Sequence, residues 1–359
     1  MTRVSGSVRI VGAGLLGTSI GLALTKLGVD VIVTDASPIS ASLAIDMGAG
    51  RAEAPDDNPR LVVVCVPPDV TASVVARELA AHPGAVVTDV ASVKLEILAA
   101  LQGGGVDLAR YVGSHPMAGR ERGGAISGRA DLFVGRPWVV VASEHSSAEA
   151  VGLVESLALD LEATPVRLNA EEHDRAVALV SHLPQLVSSL LAARLLESGG
   201  QEVNLAGQGL RDTTRIAASD PKLWVQILGA NAAPVAALLK GLAADLEETI
   251  AALESPTSGG SLATLGRVLE RGNRGVERIP GKHGANPTKY SQVVVMIDDK
   301  PGELARLLTE IGEIGVNLED LKLEHSPGAQ VGLPEISVLP EVEKKLVDAL
   351  TARGWRIAG

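Results

Sequence analysis

"VRIVGAGLLGTSIGLAL", residues 8–24, decides the fold. It opens on an apolar run without alternation, the pattern of a parallel strand covered on both faces. Gly12, Gly14 and Gly17 follow in G-x-G-x-x-G spacing, and the chain passes directly into a helix-like stretch. Gly12 suits a tight turn, Gly14 lets a pyrophosphate approach the backbone, and Gly17 lets the helix pack on the strand. The helix N-terminus, at Leu15 and Leu16, offers unpaired N–H donors and a partial positive charge to phosphates. Asp35 lies 18 residues beyond Gly17, at the end of the next apolar run. A carboxylate there accepts from a ribose 2′-hydroxyl and repels a 2′-phosphate, which favours NAD over NADP. The bland alternatives are a tight βα turn serving another ligand and, for Asp35, a surface turn residue.

Outward from this stretch, valine-rich runs recur at 30–36, 61–68 and 84–92, separated by helix-like segments at 15–27 and 68–81. "YVGS" at 111–114 and "PWVVVAS" at 137–143 add further strands. Residues 1–168 therefore read as an α/β domain, doubly wound and of Rossmann type. Over 169–271 the period becomes helical, and Asp220-Pro221 makes a helix start. This all-helical block holds more apolar surface than one layer can bury, so pairing with a second copy, a homodimer, is expected. Residues 272–289 read as a linker of glycine, proline and scattered basic residues. Residues 290–359 return to strand, helix and strand, a small α+β domain.

The 359 residues carry 46% hydrophobic but only 2% aromatic side chains, so the core must be aliphatic. A formal charge of −11 argues against nucleic acid or an anionic membrane as partner. The one cysteine, Cys65, sits in an apolar run, which excludes an internal disulfide or a cysteine metal site. No metal site, no membrane-spanning run and no signal-peptide pattern is read, and the expected location is the cytoplasm.

Polar groups gather in a few segments. "TDVASVK" (88–94) ends a strand and places Ser92 and Lys94 at the carboxyl edge of the sheet, where cofactor and substrate meet. "GSHPMAGRERGG" brings His115 to the same edge, just before Pro116. "VSHLPQL" sets His182 two residues before Pro184, which is expected to bend the helix. "GLRDTTRIAASDPKLW" carries Arg211 and Arg215 one turn apart, and a guanidinium there suits a bidentate grip on a carboxylate. Taken singly, His182 reads as well as a satisfied core residue, Ser92 as a helix cap, and Arg215 as an i,i+3 ion pair with Asp212.

Together "GAGLLGTSI", "DVASVK", "GSHPMAG", "SHLPQL" and "RDTTRIAASDPKLW" resemble the prephenate/arogenate dehydrogenase family, and in the family's order. The resemblance covers nearly the whole chain. It implies a Rossmann domain, a helical dimerisation domain, and NAD-dependent oxidative decarboxylation of prephenate in tyrosine biosynthesis. By motif position it makes His115 the group facing the ring hydroxyl, with Ser92 beside it, and Arg215 the carboxylate binder. His182, Glu121 and Trp224 become supporting residues of the substrate pocket. Arg120 stands where the family varies, which leaves the substrate side chain, prephenate or arogenate, open. The tail resembles an ACT domain, a ferredoxin-like βαββαβ module. Gly302 and Asn317 would then flank an amino-acid effector, tyrosine being the natural one, although both also read as ordinary turn residues. The rival of another class is a non-catalytic amino-acid sensor on a nucleotide-binding fold.

Overall fold

The apolar runs read from the sequence become parallel strands β1 (Val8–Val11), β2 (Val31–Thr34), β3 (Leu61–Val64) and β4 (Val86–Asp89). The structure is a computed structural model that describes residues 2–119, 123–280, 290–325 and 331–358. Strands β5 (Tyr111–Pro116), β6 (Pro137–Val141) and β7 (Thr164–Arg167) complete a seven-stranded sheet ordered β2-β1-β3-β4-β5-β6-β7. Every pairing is parallel except β5 with β6. The chain builds β2 on one side of β1 and β3 on the other. The loop after β1 therefore opens at the topological switch point, where sheets of this kind bind ligands.

Helices α1 (Leu15–Lys26), α2 (Pro38–Asp46) and α5 (Ala148–Asp160) cover one face, packing Ile20, Leu24, Ala44, Val154 and Leu157 on Ile10, Leu61 and Val63. Helices α3 (Pro68–Ala81) and α4 (Leu95–Gly103) cover the other, packing Val75, Leu79, Ile97 and Leu101 on Val62, Val64 and Val87. Alternate residues of β3 thus enter different cores. Each such valine contributes roughly 1.5–3 kcal/mol by leaving water, which is why the strand carries no polar residue.

The chain divides into two compact units: Met1–Leu190 with Ile216–Gly241, and Leu191–Arg215 with Leu242–Gly359. The helical block comprises α6 (Ala170–Val177), α7 (Leu183–Arg194), α8 (Gly200–Val203), α9 (Gln208–Thr214), α10 (Pro221–Ala230), α11 (Ala232–Glu254) and α12 (Ser261–Val276). The Asp220 side chain accepts from Lys222 N–H at 2.9 Å and Pro221 opens α10. The bend expected at Pro184 takes another form. Pro184 has no N–H for an i−4 bond, and residues Ala178–His182 form a π-helical turn just before it.

The run Ala170–Glu197 is continuous and, by length and composition, apolar enough to cross a bilayer, contrary to the sequence reading. Its buried face nonetheless carries His173, Asp174, His182 and Gln185. The bonds of the first three to other parts of the first unit are those of a packed helix in a protein interior. The linker read over 272–289 is also shorter than expected. Helix α12 runs on to Val276, and 281–289 lies outside the described residues.

The C-terminal segment is β8 (Ser291–Asp298), α13 (Glu303–Ile314), β9 (Asp320–His325), β10 (Val331–Val338), α14 (Pro340–Ala352) and β11 (Arg356–Ala358). Its antiparallel sheet, ordered β11-β8-β10-β9, has the ferredoxin-like βαββαβ topology. Val293, Val295 and Ile297 alternate into a core shared with Leu307, Ile311, Leu346 and Leu350. Gly302 is the N-cap of α13, at φ 92°, and Asn317 precedes β9 with its Nδ2 donating to Glu319 Oε1 at 3.0 Å.

Candidate active site

The glycine loop closes on itself as the motif requires. A Cβ on Gly12 would lie 2.4 Å from the Cys65 carbonyl oxygen, and one on Gly17 would lie 1.9 Å from the Gly12 carbonyl oxygen, so neither position admits a side chain. Gly14, the N-cap of α1, has open space where its Cβ would stand. That space is bordered by the first N–H groups of α1, at Leu15, Leu16 and Gly17, which have no partner one turn earlier. A pyrophosphate fits this cradle.

Asp35 stands directly after β2 and is already at work within the loop. Ala13 N–H donates to its Oδ2 and Ser37 N–H to its Oδ1, each at 2.7 Å. Each carboxylate oxygen keeps a further lone pair for a ribose hydroxyl. Asp35→Ser is therefore expected to shift the NADP-to-NAD ratio of kcat/KM roughly tenfold towards NADP, for about 1–2 kcal/mol of phosphate repulsion removed. Steady-state kinetics with both dinucleotides checks this. A wild-type enzyme preferring NADP contradicts it.

Along the same carboxyl edge, β5 delivers His115, buried, one residue before the strand ends at Pro116. Its Nδ1 lies 2.8 Å from Nε2 of His173, on α6, and the rings meet edge to face. His173 Nδ1 is 2.7 Å from Asp174 Oδ1. Asp174 also receives Lys94 N–H at Oδ1 and Leu95 N–H at Oδ2, both at 2.9 Å. A carboxylate on α6 thereby caps α4 and holds His173 in place. This cap answers the alternative for Ser92, since α4 starts at Leu95 and Lys94, not Ser92, is its N-cap. Ser92 sits half-buried in the loop between β4 and α4.

Beneath His115 lies a second buried cluster. Asp89, at the end of β4, pairs with Lys94 Nζ and accepts from Tyr111 OH at 2.8 Å. Ser114 donates to the Asp89 carbonyl at 2.8 Å. His182 ends the π turn, with its Nδ1 3.1 Å from Asn231 Nδ2, and Asn231 Nδ2 also donates to the Asp174 carbonyl at 2.8 Å. Trp224, on α10, sets its ring edge-on to His182 at 5.9 Å. One network thus joins His115, His173, Asp174, Asn231 and His182.

The electrostatics follow from burial. Desolvation first, then His173, Lys94 and His182, push the His115 imidazole well below its ordinary value. Burial likewise lowers His182, to about 4. Burial lowers His173 too, against the opposing pull of Asp174. For Asp174, burial alone would raise the carboxyl, but the bonds from His173, Leu95 and Lys94 hold it below the usual range. The site therefore holds neutral imidazoles beside an ionised carboxylate.

Of the residues expected from the sequence, His115, Ser92, His182, Trp224, the glycines and Asp35 belong to the first unit. Arg215 belongs to the second, where it follows α9 and opens a 3-10 turn. Its suggested partner Asp212 accepts from Gln208 Nε2 at 2.8 Å. Glu121 and Arg120 lie outside the described residues. Sequence reasoning missed His173, Asp174, Asp89 and Asn231. The adjacent His-Asp pair nine residues before His182 was the available signal for the first two.

A glycine cradle at the switch point and a neutral histidine on the same edge define a nucleotide-dependent dehydrogenase. The family described as prephenate dehydrogenase, nucleotide-binding domain, matches residues 20–167, and prephenate dehydrogenase, dimerization domain, matches residues 169–266. The chain belongs to the prephenate dehydrogenase family, and its cofactor is NAD. It is 39% identical over 353 residues to a probable prephenate dehydrogenase, NovF, of Streptomyces niveus, covering 96% of this chain and 98% of that one. It is 30% identical over 264 residues to a cyclohexadienyl dehydrogenase of Zymomonas mobilis, covering 69% and 88%. Among solved structures it resembles the A. aeolicus prephenate dehydrogenase in complex with hydroxyphenyl propionate and NAD+, with TM-score 0.67 and 26% identity over 76% of this chain and 99% of that one.

Proposed function

We propose that this protein carries out the NAD-dependent oxidative decarboxylation of prephenate to 4-hydroxyphenylpyruvate, a step of tyrosine biosynthesis, in the cytoplasm. The observation that carries the reading is His115, buried, neutral and at the same carboxyl edge of the sheet as the cofactor cradle. Bound NAD supplies the hydride acceptor. The residues of the chain do the rest. His115 Nε2 takes the proton of the ring 4-hydroxyl as hydride leaves C4, and a ketone forms. The ring then draws in the electrons of the C–C bond to the carboxylate, carbon dioxide departs, and the proton returns from His115 to the phenolate oxygen. Ser92 stands beside the reacting hydroxyl. Arg215, His182, Glu121 and Trp224 bind and orient the substrate. Leu15, Leu16, the three glycines and Asp35 hold the dinucleotide.

The apolar side chains left exposed on the helical block, among them Leu179, Val180, Leu190, Leu196 and Leu246, are covered by a second copy in a homodimer. The ferredoxin-like tail is read as an ACT module that senses tyrosine near Gly302 and Asn317.

The deciding experiment follows NADH formation with prephenate and with arogenate as alternative substrates. Turnover of prephenate is expected, and activity with arogenate alone would overturn the substrate assignment. A chain cut after Lys282 is expected to stay active and lose tyrosine inhibition. Equal inhibition of both forms would put tyrosine in the His115 pocket and end the sensing role of the tail.

A further inference from the structure

We propose that His173, anchored by Asp174, is a positioning residue that fixes His115 in the tautomer with its hydrogen on Nδ1, leaving Nε2 as the acceptor. This rests on the reading of His115 as the acceptor for the substrate hydroxyl. Ionised Asp174 can only accept, so the 2.7 Å contact at Oδ1 puts the hydrogen of His173 on Nδ1. A neutral imidazole carries one N–H, so His173 Nε2 is a lone pair. It faces His115 Nδ1 at 2.8 Å, which must therefore be the donor. The other tautomer of His115 would set two lone pairs against each other in a buried site, or require a charged His173.

The surroundings keep this chain in register. Asp174 cannot swing away, because the backbone N–H groups of Lys94 and Leu95 hold both its oxygens. Asn231 Nδ2 reaches the Asp174 carbonyl and His182 Nδ1, so α6 is tied on its far side as well. Asp89 on β4, Tyr111 and Ser114 on β5 and the Lys94 ammonium just ahead of α4 bond among themselves, and none of these bonds reaches the His115 or His173 ring. The logic is that of any catalytic imidazole whose second nitrogen is held by an outer partner: the wrong tautomer keeps the geometry and loses the reaction.

Asp174 also caps α4, so His173 is the residue to vary. His173→Gln keeps an acceptor, Oε1, for His115 Nδ1–H and is expected to hold kcat within about tenfold of wild type. His173→Leu removes the acceptor and is expected to lower kcat about 100-fold, with KM for prephenate and NAD binding unchanged. Wild-type turnover in the leucine variant would overturn the proposal. A direct readout needs no variant that folds poorly. Nitrogen NMR of the full-length protein labelled at histidine is expected to find His115 protonated at Nδ1, and protonation at Nε2 would overturn the proposal. The underlying reading fails separately: an active His115→Asn enzyme removes His115 from the chemistry even where the NMR finds the hydrogen on Nδ1.

Discussion

His115→Asn is expected to lower kcat about 100-fold or more while NAD still binds, the usual loss for a positioned acid–base group. Asparagine is the informative replacement because its Nδ2 occupies roughly the place of Nδ1 and can still donate to His173 Nε2. The substitution then deletes Nε2 and little else. Stopped-flow and steady-state NADH formation measure the loss, and dinucleotide titration measures the binding. Turnover near wild type would remove His115 from the reaction.

The pH profile carries an independent mark of the same residue. The base works only when neutral, so activity falls as pH drops through its pKa. Burial, then His173, Lys94 and His182, place that pKa well below 6.5. Activity is therefore expected to stay level from pH 8 down through 6.5 and to decline only at lower pH. A decline centred at 6.5 would mean that the titrating imidazole is solvated and is not this one.

What the sequence disclosed depended on how local each signal was. The β1 loop was legible because its three glycines fall within six residues and the Gly17 contact with Gly12 is local, even though the Gly12 contact with Cys65 comes from the end of the neighbouring strand β3. The inner strands were legible as valine runs, but the runs at 61–68 and 84–92 extend past β3 and β4, and only the limits of α3 agree with the 68–81 stretch read from the sequence. The antiparallel placement of β6 was not, since an apolar run carries no direction and β6 pairs with β5 through tertiary contact alone. His173 and Asp174 escaped for a related reason. On α6 they look like ordinary polar residues near a helix start, and their meaning comes from β5 and α4, which lie 58 and 80 residues away in the chain. Pro184 signals a disturbance in the sequence, but the expected bend is replaced by a π turn that leaves the helix continuous, a choice between two answers to a missing N–H that local sequence does not specify.

Arg215 is where a single substitution best separates binding from chemistry. A guanidinium that grips a carboxylate with two parallel bonds contributes roughly 2–4 kcal/mol, so Arg215→Ala is expected to raise KM for prephenate by about 30-fold to several-hundred-fold. Arg215→Lys keeps the charge but presents a point donor in place of the fork, and should restore only part of the loss. The residue stands at the join of α9 and a 3-10 turn, so its backbone is held by helix geometry on both sides and the alanine variant should fold. The rival role is an ion pair with Asp212 one turn earlier. Asp212 already accepts from Gln208, and an exposed pair at that spacing is worth only about 0.2–0.5 kcal/mol. The two roles therefore differ in KM: a carboxylate binder changes it by orders of magnitude, and an exposed ion pair with Asp212 leaves it unchanged. Normal prephenate binding in both variants would assign Arg215 to the helix alone.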